Sequence, residues 1–342
     1  MQQVSLTVRD LIVVIFLSLL VLSPPALADD LTSVPLFTRN NSPIIQIFGL
    51  PPTEGGQLTT SGDTRARLVL DVANSFTEDN SKDESLRFDG ETSRLTFSLR
   101  RGFREHWEAG VDIPVISHNG GMLDGLIENW HRAFGLPQSG RDDAPRNRLH
   151  YYYADRDSDD GIDFSNSGTG IGDTTLYLAR RLTPDSSASR RYLALRGGIK
   201  LPTGNSDQLR GSGATDFHLR LAASDGETLK NLDLTLFASV GALWLGHGEI
   251  LADKQQRTVG FGSFGLGWSA LKRVTVKVQI DAHTNFFSDS QLKQIDSPSA
   301  QLAFGGTVKV SESLAVDLCI QEDIVVETAP DVTFQMALTY LY

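Results

Sequence analysis

Cysteine is nearly absent from this sequence, which has Cys319 alone among 342 residues. A single cysteine excludes an intramolecular disulfide, so the folded chain must be held by strand pairing and packing. Long apolar runs are also missing. After residue 28 no stretch is apolar enough to cross a bilayer as a helix, which excludes a helical inner-membrane protein. Positive charge is scarce, and a formal net charge of −11 argues against binding nucleic acid through its phosphates.

The first residues have the pattern of an export signal. The stretch Leu11–Leu22 is almost entirely aliphatic, Ser23–Pro25 ends it, and Ala26–Ala28 places small residues where a signal peptidase reads them. A retained transmembrane helix is the alternative, but it requires about 20 apolar residues. We therefore predict a signal peptide over residues 1–28.

Residues 64–342 contain about twelve segments in which apolar and polar side chains alternate with a period of two. The last, Val332–Tyr342, carries an apolar or aromatic residue at every even position and ends on an aromatic. This pattern is typical of outer-membrane strands, which face lipid on one side and the lumen on the other. A soluble β-sandwich also alternates, but its strands are usually shorter. The sequence predicts an all-β fold, a single antiparallel transmembrane β-barrel of about 12 strands, with eight or ten strands as alternatives.

The connections between these segments alternate in length. Short ones, such as 102–104 and 311–312, alternate with longer polar ones, such as 202–213 and 285–298. Outer-membrane barrels have short periplasmic turns and long external loops, so we expect a bacterial outer-membrane protein with both termini in the periplasm. Residues 29–63 then form a periplasmic N-terminal segment, apolar enough to pack inside the periplasmic mouth.

The longest connection, residues 117–170, contains apolar residues at helical spacing and predicts one long external loop with a short helix. Loops of this length are uncommon unless functional, and we interpret the helix as a lid or plug. The alternative is a helix that packs its apolar stripe against loop residues. The lid or plug candidates are Leu123, Leu126, Ile127, Trp130 and Phe134.

Charges of both signs recur on the face that the alternation assigns to the lumen. Buried charges must be paired or hydrated. They either form ion-pair layers that fill a narrow barrel or line a solute path, and both readings stay open. The lumen-lining candidates are Arg94, Arg100, Glu108, Asp112, Asp173, Arg196, Lys200, Asp216, His218, Arg220, Asp233, Lys277 and Asp281.

No catalytic arrangement is recognisable, because no serine stands at a spacing that would pair it with the strand histidines. The stretch Asp155–Asp163 is similar to a calcium loop. However, Gly161 falls one residue late and Asn166 stands where a bidentate Glu is required, which leaves at most a weak surface site. We expect a protein that is not an enzyme, with no catalytic, cofactor-binding or metal site and no cofactor.

Three motifs resemble those of the outer-membrane barrels named after the phenol-degradation meta-pathway: G-x-G-D at 170–173, K-L-P-T-G at 200–204 and G-x-G-x-T-D-F at 211–217. The stretches Arg39–Pro43 and Phe48–Pro51 resemble more narrowly an uncharacterised proteobacterial family, a domain of unknown function. The resemblance implies an outer-membrane barrel that passes small solutes, hydrophobic ones among them.

The leading hypothesis is therefore a narrow channel or transporter for small solutes. The alternatives are a non-conducting structural or ligand- and lipid-binding barrel and, less favoured, a lipid hydrolase. Expected partners are outer-membrane lipids, lipopolysaccharide and the barrel-assembly machinery, but no nucleic acid. That machinery would read an insertion signal in the last strand, formed by Phe334, Met336, Leu338, Tyr340 and Tyr342.

Overall fold

The computed structural model describes residues 31–121, 125, 147–158, 160–184, 189–325 and 328–342. The predicted signal peptide lies outside these residues, and so do the lid or plug candidates Leu123, Leu126, Ile127, Trp130 and Phe134. Within the described ranges, no helix is long and apolar enough to cross a membrane.

The described chain forms fifteen strands in one sheet. Their bounds are β1 Thr64–Asn80, β2 Glu84–Phe103, β3 Trp107–Asn119, β4 His150–Asp155, β5 Ile162–Phe164, β6 Gly168–Ile171, β7 Thr174–Arg181, β8 Arg191–Leu201, β9 Asp216–Asp225, β10 Leu234–Trp244, β11 Thr258–Leu271, β12 Val274–His283, β13 Ser299–Lys309, β14 Leu314–Val325 and β15 Val332–Leu341.

Twelve of these strands close into an antiparallel barrel: β1, β2, β3 and β7 to β15. Strands that follow one another in the wall are paired, β3 pairs with β7, and β15 pairs with β1 to close the ring. At this seam the main chains of Thr64 and Tyr342 exchange two hydrogen bonds, of 2.6 and 2.9 Å. The predicted 12-stranded barrel is confirmed.

The connections at one end of the barrel are mostly shorter than those at the other, although the short turn 81–83 between β1 and β2 lies at the same end as the long ones. The connections 104–106, 226–233, 272–273 and 310–313 define the short-turn end, where the segment before β1 also begins. The connections 202–215, 245–257 and 284–298 define the long-loop end. At the long-loop end, β4 extends the wall by pairing with β2, and β6 does so by pairing with β3.

Side chains along each strand face the outside and the interior in turn, because successive Cβ atoms point to opposite faces of a sheet. On β15, Gln335 and Thr339 are buried inside, whereas Met336 is 50% exposed on the outer face. The proposed insertion-signal residues Phe334, Met336, Leu338 and Tyr340 all share that outer face, and Tyr342 stacks on Tyr340. Their role in assembly stays a prediction.

Residues 31–60, named here the lumenal segment, lie inside the barrel along its whole height. Every residue from 31 to 59 except Val34 is buried. Leu31 packs at the short-turn end, whereas Phe48 packs at the long-loop end. From the sequence we expected a periplasmic segment over residues 29–63 that packs inside the periplasmic mouth. The segment enters further because inward-facing polar side chains of the wall bind its main chain.

Candidate functional site

The lumenal segment is a hairpin, with limbs 31–42 and 49–60 joined by a turn at 43–48. In the first limb, Leu36 packs against Ala303 and Cys319 of the wall. The second limb comes so close to the wall that a Cβ on Gly56 would clash with the main-chain carbonyl of Tyr192. The hairpin therefore fits against the wall on both sides.

The two limbs are joined to each other and to β12 near the middle of the barrel. The Thr53 amide donates to the Thr38 carbonyl at 2.9 Å. The hydroxyls of Thr38 and Thr53 both donate to the Asp281 carboxylate, at 2.5 and 2.8 Å, and Gln279 Nε2 donates to it as well. Asp281 is thus held by neutral donors.

The centre of the lumen is occupied by Glu54, whose side chain is 4% exposed. Four arginines surround its carboxylate: Arg220 at 3.0 Å, Arg100 at 3.3 Å, Arg67 at 3.7 Å and Arg196 at 3.8 Å. They belong to β1, β2, β8 and β9. We name these five residues the Glu54 node.

Two carboxylates of the wall contact arginines of the node. Asp112 binds Arg100 at 2.8 Å, and Glu108 binds Arg196 at 2.7 Å. Glu108 also accepts hydrogen bonds from the amide and hydroxyl of Thr59, both at 2.7 Å. Each charged group of the node therefore has an opposite charge in contact, as burial requires.

A second ion cluster lies nearer the long-loop end. Lys200 Nζ binds Asp173 at 2.6 Å and Asp216 at 3.1 Å, and it donates to the main-chain carbonyl of Ile47 at 3.1 Å. Asp216 accepts from the Gly49 amide at 2.8 Å. This cluster fixes the end of the hairpin turn, where the second limb begins, to the wall.

Twelve of the thirteen lumen-lining candidates face the interior, where most of them contact the lumenal segment or another wall charge. They are Arg94, Arg100, Glu108, Asp112, Asp173, Arg196, Lys200, Asp216, His218, Arg220, Lys277 and Asp281.

Asp233 was wrongly placed in the lumen. It is exposed at the short-turn end, in a left-handed conformation with φ of 55°, because a 3₁₀ turn over Lys230–Leu232 precedes it. That turn delays the start of β10 to Leu234, so the strand alternation does not extend back to Asp233.

Sequence reasoning missed Glu54 and Arg67, which the structure brings together. Arg67 stands in the first strand as an inward charge, so the alternation was sufficient to find it. Glu54 lies outside any strand, and the only signal was its place in a stretch without alternation.

The hairpin turn extends into an apolar cluster at the long-loop end, named here the cap. Phe48 stacks on Phe286 with ring centroids 5.2 Å apart. Tyr151 and Tyr153 of β4 and Leu251 of the β10–β11 connection belong to the same cluster. The lumenal segment therefore supplies part of the core on which the long loops pack.

A buried lysine holds the cap together at its rim. Lys254 Nζ contacts Asp155 at 2.8 Å and Glu84 at 3.6 Å, and it donates to the Asp289 carbonyl at 2.8 Å. Its hydrogen bond lowers the pKa of Asp155. Burial lowers the pKa of Lys254, but bonding to Asp155 and the charge of Glu84 outweigh burial and raise it.

The loop that is similar to a calcium site contributes Asp155, Asp157 and Asp160 to an open cleft beside Lys254. Across the described parts of the chain, no group of three or more His, Cys, Asp or Glu side chains is arranged to hold a metal ion. The ammonium of Lys254 is the cation that Asp155 binds.

Comparison with known proteins agrees with this architecture. Residues 11–342 match a family described as "Protein of unknown function (DUF3187)", and the chain matches no curated protein. The structure is similar to that of the COG4313 outer membrane channel from Pseudomonas putida F1, with a TM-score of 0.55 and 8% identity over 84% of this chain and 98% of that one. This likeness shows an outer-membrane barrel fold.

Two further structures are more distant. The NanC porin has a TM-score of 0.43 and 9% identity over 81% of this chain and 98% of that one. The toluene transporter TodX from Pseudomonas putida has a TM-score of 0.35 and 10% identity over 91% of this chain and 98% of that one.

Replacing Glu54 by Gln should destabilise the protein by about 3 to 5 kcal/mol, because it leaves buried arginines without their shared counter-charge. Guanidinium unfolding in lipid vesicles measures this free energy. Glu78→Gln is the matched control, since Glu78 pairs with Arg87 and Arg148 but is 40% exposed. That substitution should cost about 0 to 1 kcal/mol. Equal effects of the two substitutions would contradict the role given to Glu54.

The rim of the cap should loosen in acid. The ordinary pKa of Asp155 is 3.8 and the folded value is lower, so its stabilising effect is present above about pH 4 and disappears as the pH falls through the lowered value. The raised pKa of Lys254 keeps its own effect intact below its ordinary value of 10.5.

Hydrogen-exchange protection factors of β4 and of the 245–257 connection measure this loosening. We expect a plateau between about pH 5 and 9 and a fall below about pH 4. Lys254→Gln should lower the protection already at neutral pH and reduce the acid step. An acid step of the same size in Lys254→Gln would show that other groups control the cap.

Proposed function

The chain belongs to the DUF3187 family, and we propose that it is an outer-membrane channel for small polar solutes that its own lumenal segment keeps closed. The observation that carries the proposal is what fills the lumen. Residues 31–60 occupy it as a hairpin tethered to β1, and charged wall side chains hold that hairpin.

A barrel of this width supports a passage. Eight strands leave an interior that side chains can fill, and the interior widens as the strand number grows. The twelve strands here enclose two limbs of peptide in addition to the wall side chains. Displacing the hairpin would therefore leave a water-filled path lined by charge.

The attachment of the hairpin suits displacement. Residues 31–60 add no strand to the sheet, and beside β1 the chain makes only an isolated bridge between Ser61 and Gly102. Its contacts are ion pairs, hydrogen bonds and apolar packing, which includes the cap, and none of them is part of the strand pairing that closes the wall. We also propose that the short-turn end faces the periplasm, as is usual for such barrels, so the cap faces outward.

The polarity of the lumen supports polar over hydrophobic solutes. The wall around the hairpin presents guanidinium, ammonium and carboxylate groups, whereas a large apolar concavity of about 490 Å³ lies on the outer face. Leu176, Leu195 and Phe217 line that concavity, where acyl chains of lipid would fill it. A hydrophobic solute, as the family resemblance implies, would use this outer face rather than the lumen.

Locking the hairpin to the wall tests the proposal. Leu36 packs against Cys319, so Leu36→Cys should form a disulfide between the lumenal segment and β14. In planar bilayers the frequency of channel openings should be at least tenfold lower for the oxidised variant than for the reduced one, because the disulfide keeps the hairpin in the lumen. Gel mobility with and without reductant reports whether the bond has formed.

Leu36→Ser is the matched control, since it makes the same side chain small and polar but cannot form the bond. Its conductance should not respond to reductant. An absence of conductance from both variants in reductant would favour a non-conducting structural barrel. Equal conductance of the oxidised and reduced forms of Leu36→Cys would show that solutes bypass the hairpin.

A further inference from the structure

Glu54 occupies a site built almost entirely from wall arginines, and we propose that this site binds the carboxylate group of small anionic solutes. Glu54 is its resident occupant, a carboxylate supplied by the protein itself. The transport role of the site rests on the proposed function, but binding can be tested without conductance.

The arrangement of donors matches a carboxylate. Arg100 donates from Nε to one oxygen of Glu54 and from Nη2 to the other, both at 3.3 Å. Arg220 donates from Nη2 at 3.0 Å. A guanidinium that meets both oxygens recognises the planar carboxylate group as well as its charge.

The arginines have more donors than Glu54 can use. Arg67 Nη1 and Arg220 Nε are buried without a hydrogen-bond partner. Five guanidinium groups also face three carboxylates here, those of Glu54, Glu108 and Asp112, because Arg39 of the lumenal segment lies 3.8 Å from Asp112. A carboxylate that takes the place of Glu54 would therefore meet at least as many guanidinium donors as Glu54 uses, together with an excess of positive charge.

Two of the arginines stay in place without the lumenal segment. Asp112 holds Arg100, whose Cζ also lies 4.0 Å from the ring centroid of Tyr177. Glu108 holds Arg196. Wall groups thus preorganise half of the site, which lowers the cost of binding a ligand there.

The other two arginines depend on the lumenal segment. Arg67 lies 3.7 Å from Glu54 and over the ring of Phe37, and Arg220 binds Glu54 and the carbonyl of Pro52. When the segment withdraws, these contacts are lost and both guanidinium groups are left facing the open lumen. A solute carboxylate then competes with Glu54, and by linkage its binding weakens the hold on the hairpin.

Replacing Glu54 by Ala empties the site, and acetate can then refill it. At constant ionic strength, exchanging chloride for acetate should raise the thermal midpoint of Glu54→Ala by on the order of 5 °C in a saturable manner. Acetate should leave the wild type unchanged because its site is occupied. Acetamide, the neutral analogue, should have no effect on either protein.

Two variants test whether the arginines are responsible. Asp281→Ala also removes a lumenal carboxylate, but neutral donors held that group, so acetate should not rescue it. Adding Arg220→Gln to Glu54→Ala should abolish the rescue. Rescue of Asp281→Ala to the same extent, or rescue of Glu54→Ala by acetamide, would overturn the proposal.

If Glu54→Ala does not fold in chloride, refolding yield replaces the thermal midpoint. Acetate should restore the heat-modifiable folded band and acetamide should not. Failure in both solutions would overturn the site, since the arginines would not accept an external carboxylate. None of these readouts requires a measured current. An absence of conductance in planar bilayers would contradict the proposed channel but would not contradict the proposed binding site.

Discussion

The contact between Glu54 and four arginines is the interaction on which the rest of this interior depends. Arginine remains protonated at any pH the cell meets, so four guanidinium groups facing one another require an anion. The wall supplies Glu108 and Asp112, and the lumenal segment supplies the third carboxylate. Because that carboxylate is on a tethered hairpin, the four wall arginines have their shared counter-charge only when the hairpin is inside.

The same hairpin connects the two ends of the molecule. Its limbs satisfy the charges and hydrogen bonds of the lumen, and its turn contributes Phe48 to the apolar core of the cap. Lys200 and Asp216 hold the end of that turn, where the second limb begins. Displacing the hairpin would therefore also loosen the long loops, since the cap would lose part of its core.

The barrel could be predicted from sequence because each strand obeys a local rule. A period of two separates lipid-facing from interior residues, and twelve of the thirteen charged candidates face the interior. It failed at Asp233, where a short 3₁₀ turn shifts the start of β10. The lumenal segment could not be predicted in the same way. Its position depends on contacts with residues far along the chain, such as Gly49 with Asp216 and Thr38 with Asp281, and no local periodicity records them.

Labelling of the single cysteine tests most directly whether the lumen is occupied. Cys319 faces the interior of β14, is 6% exposed and packs against Leu36 of the hairpin. With the hairpin in place, a membrane-impermeant maleimide should leave Cys319 of the folded protein unlabelled. The same reagent should label the variant Glu78→Cys, whose new thiol is exposed. Denaturation should make Cys319 fully reactive. Prompt labelling of Cys319 in the folded protein would mean that water fills this part of the lumen, and it would contradict the account.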